Sequence, residues 1–188
     1  IGDVRRSRAI GNLRKSLLAA FDNKNSKVLF FSGLIYYTWE HDYKKAVMPQ
    51  GNIKVSSKGV KFVCTLDLFK KQRNAFNEEG DCAVRAIAAG FNFNYNEVHN
   101  TLSELGRRNG AGTRMSQMEK AINLLAGKEV KLHRVNMTVR QALNKLKGTC
   151  IVVVSGHAFT IKDGVIYGNG GYDSERMRAR IRGAWEVA

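Results

Sequence analysis

Apolar residues recur at two different spacings along this chain of 188 residues, and the change of spacing predicts its elements. Over residues 3–21, Val4, Ile10, Leu13, Leu17 and Phe21 recur near three or four apart, the period of an amphipathic helix. Arg5, Arg6, Arg8, Arg14 and Lys15 occupy the rest of that helix's surface. Short β-branched or aromatic runs follow, "KVLFFSG", "LIYYTWEH", "KKAVM", "NIKVSS" and "GVKFVCTL", punctuated by Gly, Asn and Pro49. They predict a small antiparallel sheet or meander, whose Tyr36, Tyr37 and Trp39 stand either in a core or as stacking surfaces for bases.

From about residue 76 the helical period returns. "DCAVRAIAAGF" is the first helix, and "NYNEVHNTLSELGRR" the second, with Asn94 at the cap and Glu97 three positions on. "SQMEKAINLLAG" repeats the device with Ser116 and Glu119 and stops at Gly127. "TVRQALNKLKG" does so again with Thr138 and Gln141, ending at Gly148. "KEVKLHRV" precedes that last helix as a strand; "TCIVVVS", "HAFTIK", "GVIYGN" and "ARIRGAWEV" follow it. Helices first and strands afterwards is an α+β layout with an antiparallel sheet. The pattern predicts a basic helix-plus-β-meander domain over 1–75 and an α+β domain over 76–188, joined near Phe76 without a flexible linker.

Composition narrows the function classes. The chain is 44% hydrophobic with one proline, as expected of a folded protein. It has no apolar run of about 18 residues that would span a membrane. Three widely spaced cysteines, Cys64, Cys82 and Cys150, do not make a disulfide framework and suit a reducing compartment. The sequence lacks CxxC and HExxH spacings, so neither a structural zinc site nor a zinc peptidase is expected, and no cofactor is implied. "RNGAGTRMS" and "GNGGYDS" are glycine-rich but lack the Gly-Lys-Ser/Thr ending of a phosphate loop.

Charge adds a partner. The net +15 is uneven: residues 1–75 carry 15 Lys+Arg against 5 Asp+Glu, +10, and residues 76–188 carry 16 against 11, +5. Such a field attracts DNA or another polyanion, with Arg5, Arg6, Arg8, Arg14 and Lys15 as the expected contacts. The alternative is a solvated basic face with no specific ligand. The first residue is Ile, compatible with proteolytic maturation, and "IGDVRRSRAIGNL" lacks the long apolar core of a secretory signal.

One constellation carries chemistry. Cys82 follows the turn-like Glu-Gly-Asp and opens a helix, where unpaired N–H groups and the helix dipole stabilise a thiolate. A cysteine nucleophile needs a base, an orienter for the base, and donors for the oxyanion. Of four histidines, His41 lies in the basic β segment. His99 lies in the second helix, facing solvent or packing beside Val98, and His133 in a charged strand. His157 follows Gly156 between two strand-like runs, where a glycine lets a ligand or backbone approach closely, and it is the expected base. For the orienter, a three-residue loop "KDG" with Gly164 as a left-handed bulge pairs residue 157 with Asn169. A two-residue turn would instead send Asn169 to the other face, and Asp173 in "GNGGYDS" is the alternative. Asp163 reads as turn chemistry. The Cys82 backbone N–H and an upstream amide, Asn77 first and Gln72 next, are the expected oxyanion donors.

The runs "GDCAVRAIAAGF…YNEVH", "TVRQALNKLKGTCIVVVSGHAFTIKDGVIYG" and "RIRGAWEV" resemble small papain-like cysteine peptidase-fold proteins of tailed bacteriophages. Those are similar in plan to bacteriocin-processing and transglutaminase-like peptidases. The likeness covers about residues 76–188 and implies a papain-like helix bundle plus antiparallel sheet, with Cys82 as nucleophile, His157 as base and an upstream amide as oxyanion donor. Relatives often carry an acid directly after the residue matching Tyr167; this chain has Gly168, which leaves Asn169, or no residue, as third member. The implied function is a thiol hydrolase, most simply a peptidase acting on a polypeptide substrate or host protein. The alternative is a non-catalytic DNA-associated virion or host-takeover protein that keeps the fold, packed with other virion proteins, or an inhibitor of a host enzyme. Host cytoplasm or virion is the expected location.

Overall fold

The computed structural model describes residues 26–31 and 34–39, as backbone, and residues 51–187. The expected helix over 3–21 with its five basic residues, the segment "KKAVM", and His41 lie outside the described residues. The chain divides into two compact units, Ile1–Lys44 and Lys45–Ala188. In the first, β1 (Ser26–Phe31) and β2 (Leu34–Trp39) form an antiparallel hairpin in which Phe31 pairs with Leu34.

The second unit begins earlier than the expected boundary at Phe76. Its first strands, β3 (Lys54–Val55) and β4 (Lys61–Cys64), are followed by two short helices, α1 (Thr65–Leu68) and α2 (Lys70–Ala75). Then come α3 (Cys82–Phe91), α4 (Tyr95–Glu104) and α5 (Met115–Ala126). A two-residue strand, β5 (Leu132–His133), and α6 (Val139–Lys145) lead into β6 (Thr149–Val154), β7 (His157–Lys162) and β8 (Val165–Gly168). The short α7 (Gly171–Glu175) and β9 (Gly183–Val187) close the unit.

These seven strands form one sheet in the order β3-β4-β8-β7-β6-β9-β5. It is mixed rather than wholly antiparallel, because β4 runs parallel to β8, Phe62 pairing with Ile166 and Val63 with Tyr167. Parallel neighbours need a long crossover, and everything from α1 to β7 lies between them in sequence. That pairing is also why the boundary at 75/76 does not hold: β4 belongs to the sheet of the later strands.

The apolar run in β6 is explained by burial on both faces. Ile151 and Val153 pack with α3, α4 and α5, alongside Val84, Ile87, Leu102, Ile122 and Trp185. Cys150, Val152 and Val154 pack on the opposite face with Phe159, Ile161, Ile181 and, from α6, Val139 and Ala142. Strand alternation thus splits one continuous hydrophobic segment between two cores. α3 lies directly over β7, where the Thr160 hydroxyl donates to the Ala86 carbonyl at 2.7 Å and pins helix to strand.

Helix ends follow the expected chemistry fully at α6 and in part at α4, where Asn94 caps the helix but Glu97 closes no capping box. The Asn94 side chain accepts from the Asn96 N–H at 2.9 Å, and Thr138 and Gln141 form a capping box. α5 starts two residues early: Arg114 is its cap and Gln117 accepts the Arg114 N–H, so Ser116 and Glu119 lie inside the helix. It ends at Gly127, which takes the left-handed conformation.

Candidate active site

The geometry of the site is set by two turns and one loop. Between β7 and β8, Lys162 pairs with Val165 and Ile161 with Ile166, so the turn has two residues, not three. Asp163 and Gly164 both have positive φ, 48° and 76°, the signature of a type I′ turn. This corrects the register expected for Asn169. Residue 159 now faces 168, and strand alternation places Gly168 on the His157 and Phe159 face and Asn169 on the other. Asn169 instead makes a bridge to Cys64, beyond the end of β8. Asp163 is confined to the turn, as its residue type suggested.

Gly156 acts as a turn residue at φ 68°, with open space where a Cβ would stand, rather than as a point of close approach. It delivers His157 to the first position of β7, buried, with its ring 6.0 Å from that of Phe159. The ring is held by Asp173. His157 Nε2 donates to Asp173 Oδ2 at 3.1 Å and lies 3.0 Å from Oδ1. The Asn169 backbone N–H donates to the same Oδ2. Asn169 therefore serves the site through its main chain, holding the orienter rather than acting as one.

Gly168 makes room for this carboxylate. A Cβ at residue 168 would stand 2.1 Å from Asp173 Oδ2 and 3.1 Å from the Phe159 Cβ. Hence the acid reaches the imidazole from α7, through the space that a side chain on β8 would fill.

Opposite, Cys82 opens α3 beside the start of β7. With Nε2 committed to Asp173, Nδ1 is the nitrogen left for the sulfur. Burial alone would push the Cys82 thiol up, but it is held below its ordinary value by a hydrogen bond and the charge of His157, by the Ala158 N–H, and by the Arg85 guanidinium. Burial pulls His157 the other way, yet Asp173 and Cys82 push it up to about 9. The two shifts share a cause, since each group favours the charged form of the other. By contrast Cys150 is buried, and burial raises its thiol. The Cys64 sulfur packs against the loop at Gly170, 3.4 Å from where a Cβ would be.

The loop before Cys82 rests on two buried carboxylates that the sequence reading did not single out. Asp81 precedes the helix, but its side chain turns inward instead of capping it. Oδ1 accepts from Arg85 Nε at 2.9 Å; Oδ2 accepts from Arg73 Nε and the Tyr95 hydroxyl, each at 2.8 Å. Arg85 in turn donates to the Thr65 hydroxyl at 2.6 Å, and Thr65 donates to the Gly168 carbonyl at 2.9 Å. One chain of hydrogen bonds thus joins the helix that Cys82 opens to the end of β8.

Glu78, also buried, accepts from Arg107 Nη1 at 2.9 Å, from His99 Nε2 at 3.0 Å and from the Gly110 N–H at 2.8 Å. His99 is therefore a buried structural residue stacked on Phe76, not a solvent-facing one. The i, i+4 spacing of Asp81 and Arg85 in "DCAVR" was the available signal for the first carboxylate. Nothing local marks the long-range partners of the second.

The residues expected as oxyanion donors lie on α2, in the turn after it and at the start of α3. The Cys82 N–H is at the first turn of α3, where the helix supplies no acceptor. Asn77 is exposed, at φ 49° in the turn that closes α2, and its N–H is donated to the Asn74 carbonyl. Its side chain makes no hydrogen bond with the described residues, and neither does that of Gln72, half-buried on α2. His133 is exposed on β5. Among the described residues no group of three or more His, Cys, Asp or Glu side chains is placed to hold a metal ion.

Comparison with known proteins adds no relative: no protein-family model, no curated protein and no solved structure matches the chain.

Proposed function

We propose that this protein is a thiol hydrolase of papain-like plan, most simply a cysteine peptidase, with Cys82 as nucleophile, His157 as acid and base, and Asp173 as orienter. The observation that carries the reading is a helix-opening sulfur facing an imidazole whose far nitrogen is held by a buried carboxylate. The Cys82 thiolate attacks the scissile carbonyl carbon; a C–S bond forms and the carbonyl π electrons move onto oxygen. The Cys82 N–H donates to that oxyanion, and the Asn77 side chain, or that of Gln72, is the second donor. As the oxyanion collapses, the C–N bond breaks and His157 gives its Nδ1 proton to the departing amine. Water then attacks the acyl-sulfur carbon, His157 takes its proton, and the thiolate leaves.

The resemblance to papain-like proteins of tailed bacteriophages agrees with this chemistry, with the acid supplied from residue 173. It makes a polypeptide substrate or host protein the natural partner and host cytoplasm or virion the natural location. Replacing Cys82 with Ala is expected to abolish both peptide-bond hydrolysis and labelling by a thiol-directed electrophile, with the folded state retained. Hydrolysis that survives the substitution, or labelling carried by Cys64, would refute the assignment.

The +10 charge of residues 1–75 favours one second reading, a non-catalytic DNA-associated virion protein on the same fold. Binding to DNA that falls steeply with salt and ignores Cys82, in a protein without hydrolytic activity, would favour it.

A further inference from the structure

The face beside α7 concentrates positive charge for which neither fold nor catalysis gives a use. A groove of about 590 Å³ is lined by Lys58, Arg140, Arg176 and Arg178, with Glu175 the one acid among them. Among the described residues none of these four cations is paired with a carboxylate: Lys58 Nζ donates to the Glu175 main-chain carbonyl at 3.1 Å, and Arg176 Nη1 to the Tyr172 hydroxyl at 2.9 Å. Like charges gathered in one concavity repel each other and raise the local potential, an arrangement that an anionic ligand relieves.

A short chain of side-chain contacts leads from the site to the groove. Tyr172 is exposed and stands edge-on to the His157 ring, centroids 6.1 Å apart. The Arg176 guanidinium lies over the Tyr172 ring, 5.0 Å from its centroid. Tyr172 thus touches both the imidazole and one of the groove's arginines, and α7 carries Asp173 on its buried side and Glu175 on its exposed side, next to Arg176.

We infer that this groove binds an acidic stretch of polypeptide, adjoining the bond presented to Cys82, and so selects substrates with Asp or Glu near the scissile position. The inference rests on the hydrolase reading, since an occupant that passes Tyr172 to reach His157 is the molecule whose carbonyl meets the thiolate. Arginine forks match carboxylates in two-point hydrogen bonds, which gives direction as well as attraction.

The test uses the full chain with Cys82→Ala, to prevent turnover, and a fluorescein-labelled peptide of consecutive glutamates flanked by Gly and Ala. Anisotropy titrations compare Arg140→Gln/Arg178→Gln with a control pair, Lys131→Gln/Lys162→Gln, which removes the same charge from exposed positions elsewhere. The groove pair should weaken binding by at least about tenfold and the control pair by less than about twofold. Equal weakening by both pairs, or none by the groove pair, would overturn the inference. So would an oligothymidylate of matched charge that binds more tightly than the peptide and is lost with the groove pair. The two readings fail separately. Groove-dependent peptide binding with no cleavage by the Cys82 protein sinks the hydrolase and leaves the groove; cleavage indifferent to the groove pair does the reverse.

Discussion

Two buried aspartates support the site, Asp81 on the Cys82 side and Asp173 on the His157 side, and they are satisfied in different ways. Asp81 accepts three side-chain donors, from Arg85, Arg73 and Tyr95, and both of its oxygens are engaged. Asp173 accepts from His157 and the Asn169 N–H on one oxygen, while Oδ1 lies close to the ring but makes no hydrogen bond. The partners also differ in kind. Arginine keeps its charge at every pH a folded protein meets, so Asp81 is locked into a fixed ion network. Imidazole can lose its proton where guanidinium cannot, so Asp173 is coupled to a group whose charge can change. The first carboxylate holds the loop and helix that present Cys82; the second sets the charge state of the residue opposite.

Breaking each aspartate should separate these roles. Asp81→Ala leaves the Arg85 guanidinium buried without its counter-charge, and is expected to cost about 3–5 kcal/mol of stability. Denaturant unfolding measures it, and a loss below about 1 kcal/mol would mean the network is not structural. Asp173→Asn should leave the fold within about 1–2 kcal/mol of the parent. It should nevertheless lower hydrolysis by about 10²-fold or more, because the imidazolium loses its anion. The alkaline limb of the pH profile should also move. Asp173 raises His157, so removing its charge lets the ring lose its proton at lower pH, and the limb near pH 9 shifts towards neutrality. An unmoved limb would show that Asp173 does not govern the ring.

The contrast also explains what the sequence made legible. Local signals located α3, α4 and the β6–β8 strands: apolar periodicity, the Asn94 and Thr138 caps, and short apolar runs bounded by glycine. Cys82 and His157 were recognisable for the same reason, each standing at the first position of a local element. The orienter was not, because its identity depends on hairpin register. Whether Lys162 belongs to the loop or to the last strand pair decides whether residue 169 faces His157, and Asp-Gly is compatible with both turns. β4 in the main sheet was hidden too. Parallel pairing of Phe62 with Ile166 joins residues about a hundred positions apart, and its two-residue alternation looks the same in a meander. The charges in "EEGDCAVR" were visible, but their partners Arg107, Tyr95 and Gly110 come from later helices and loops.

The proposed chemistry turns on a charge-separated Cys82–His157 pair, and alkylation of the three cysteines in one intact molecule reads it directly. Iodoacetamide labelling rates at Cys64, Cys82 and Cys150, resolved by peptide mass spectrometry between pH 5 and 10, should show Cys82 reacting fastest near pH 6. At that pH an ordinary thiol, with a pKa of about 8.5, is almost wholly protonated. A Cys82 rate that rises only around that ordinary value, in step with Cys64, would contradict the pair and with it the proposed chemistry.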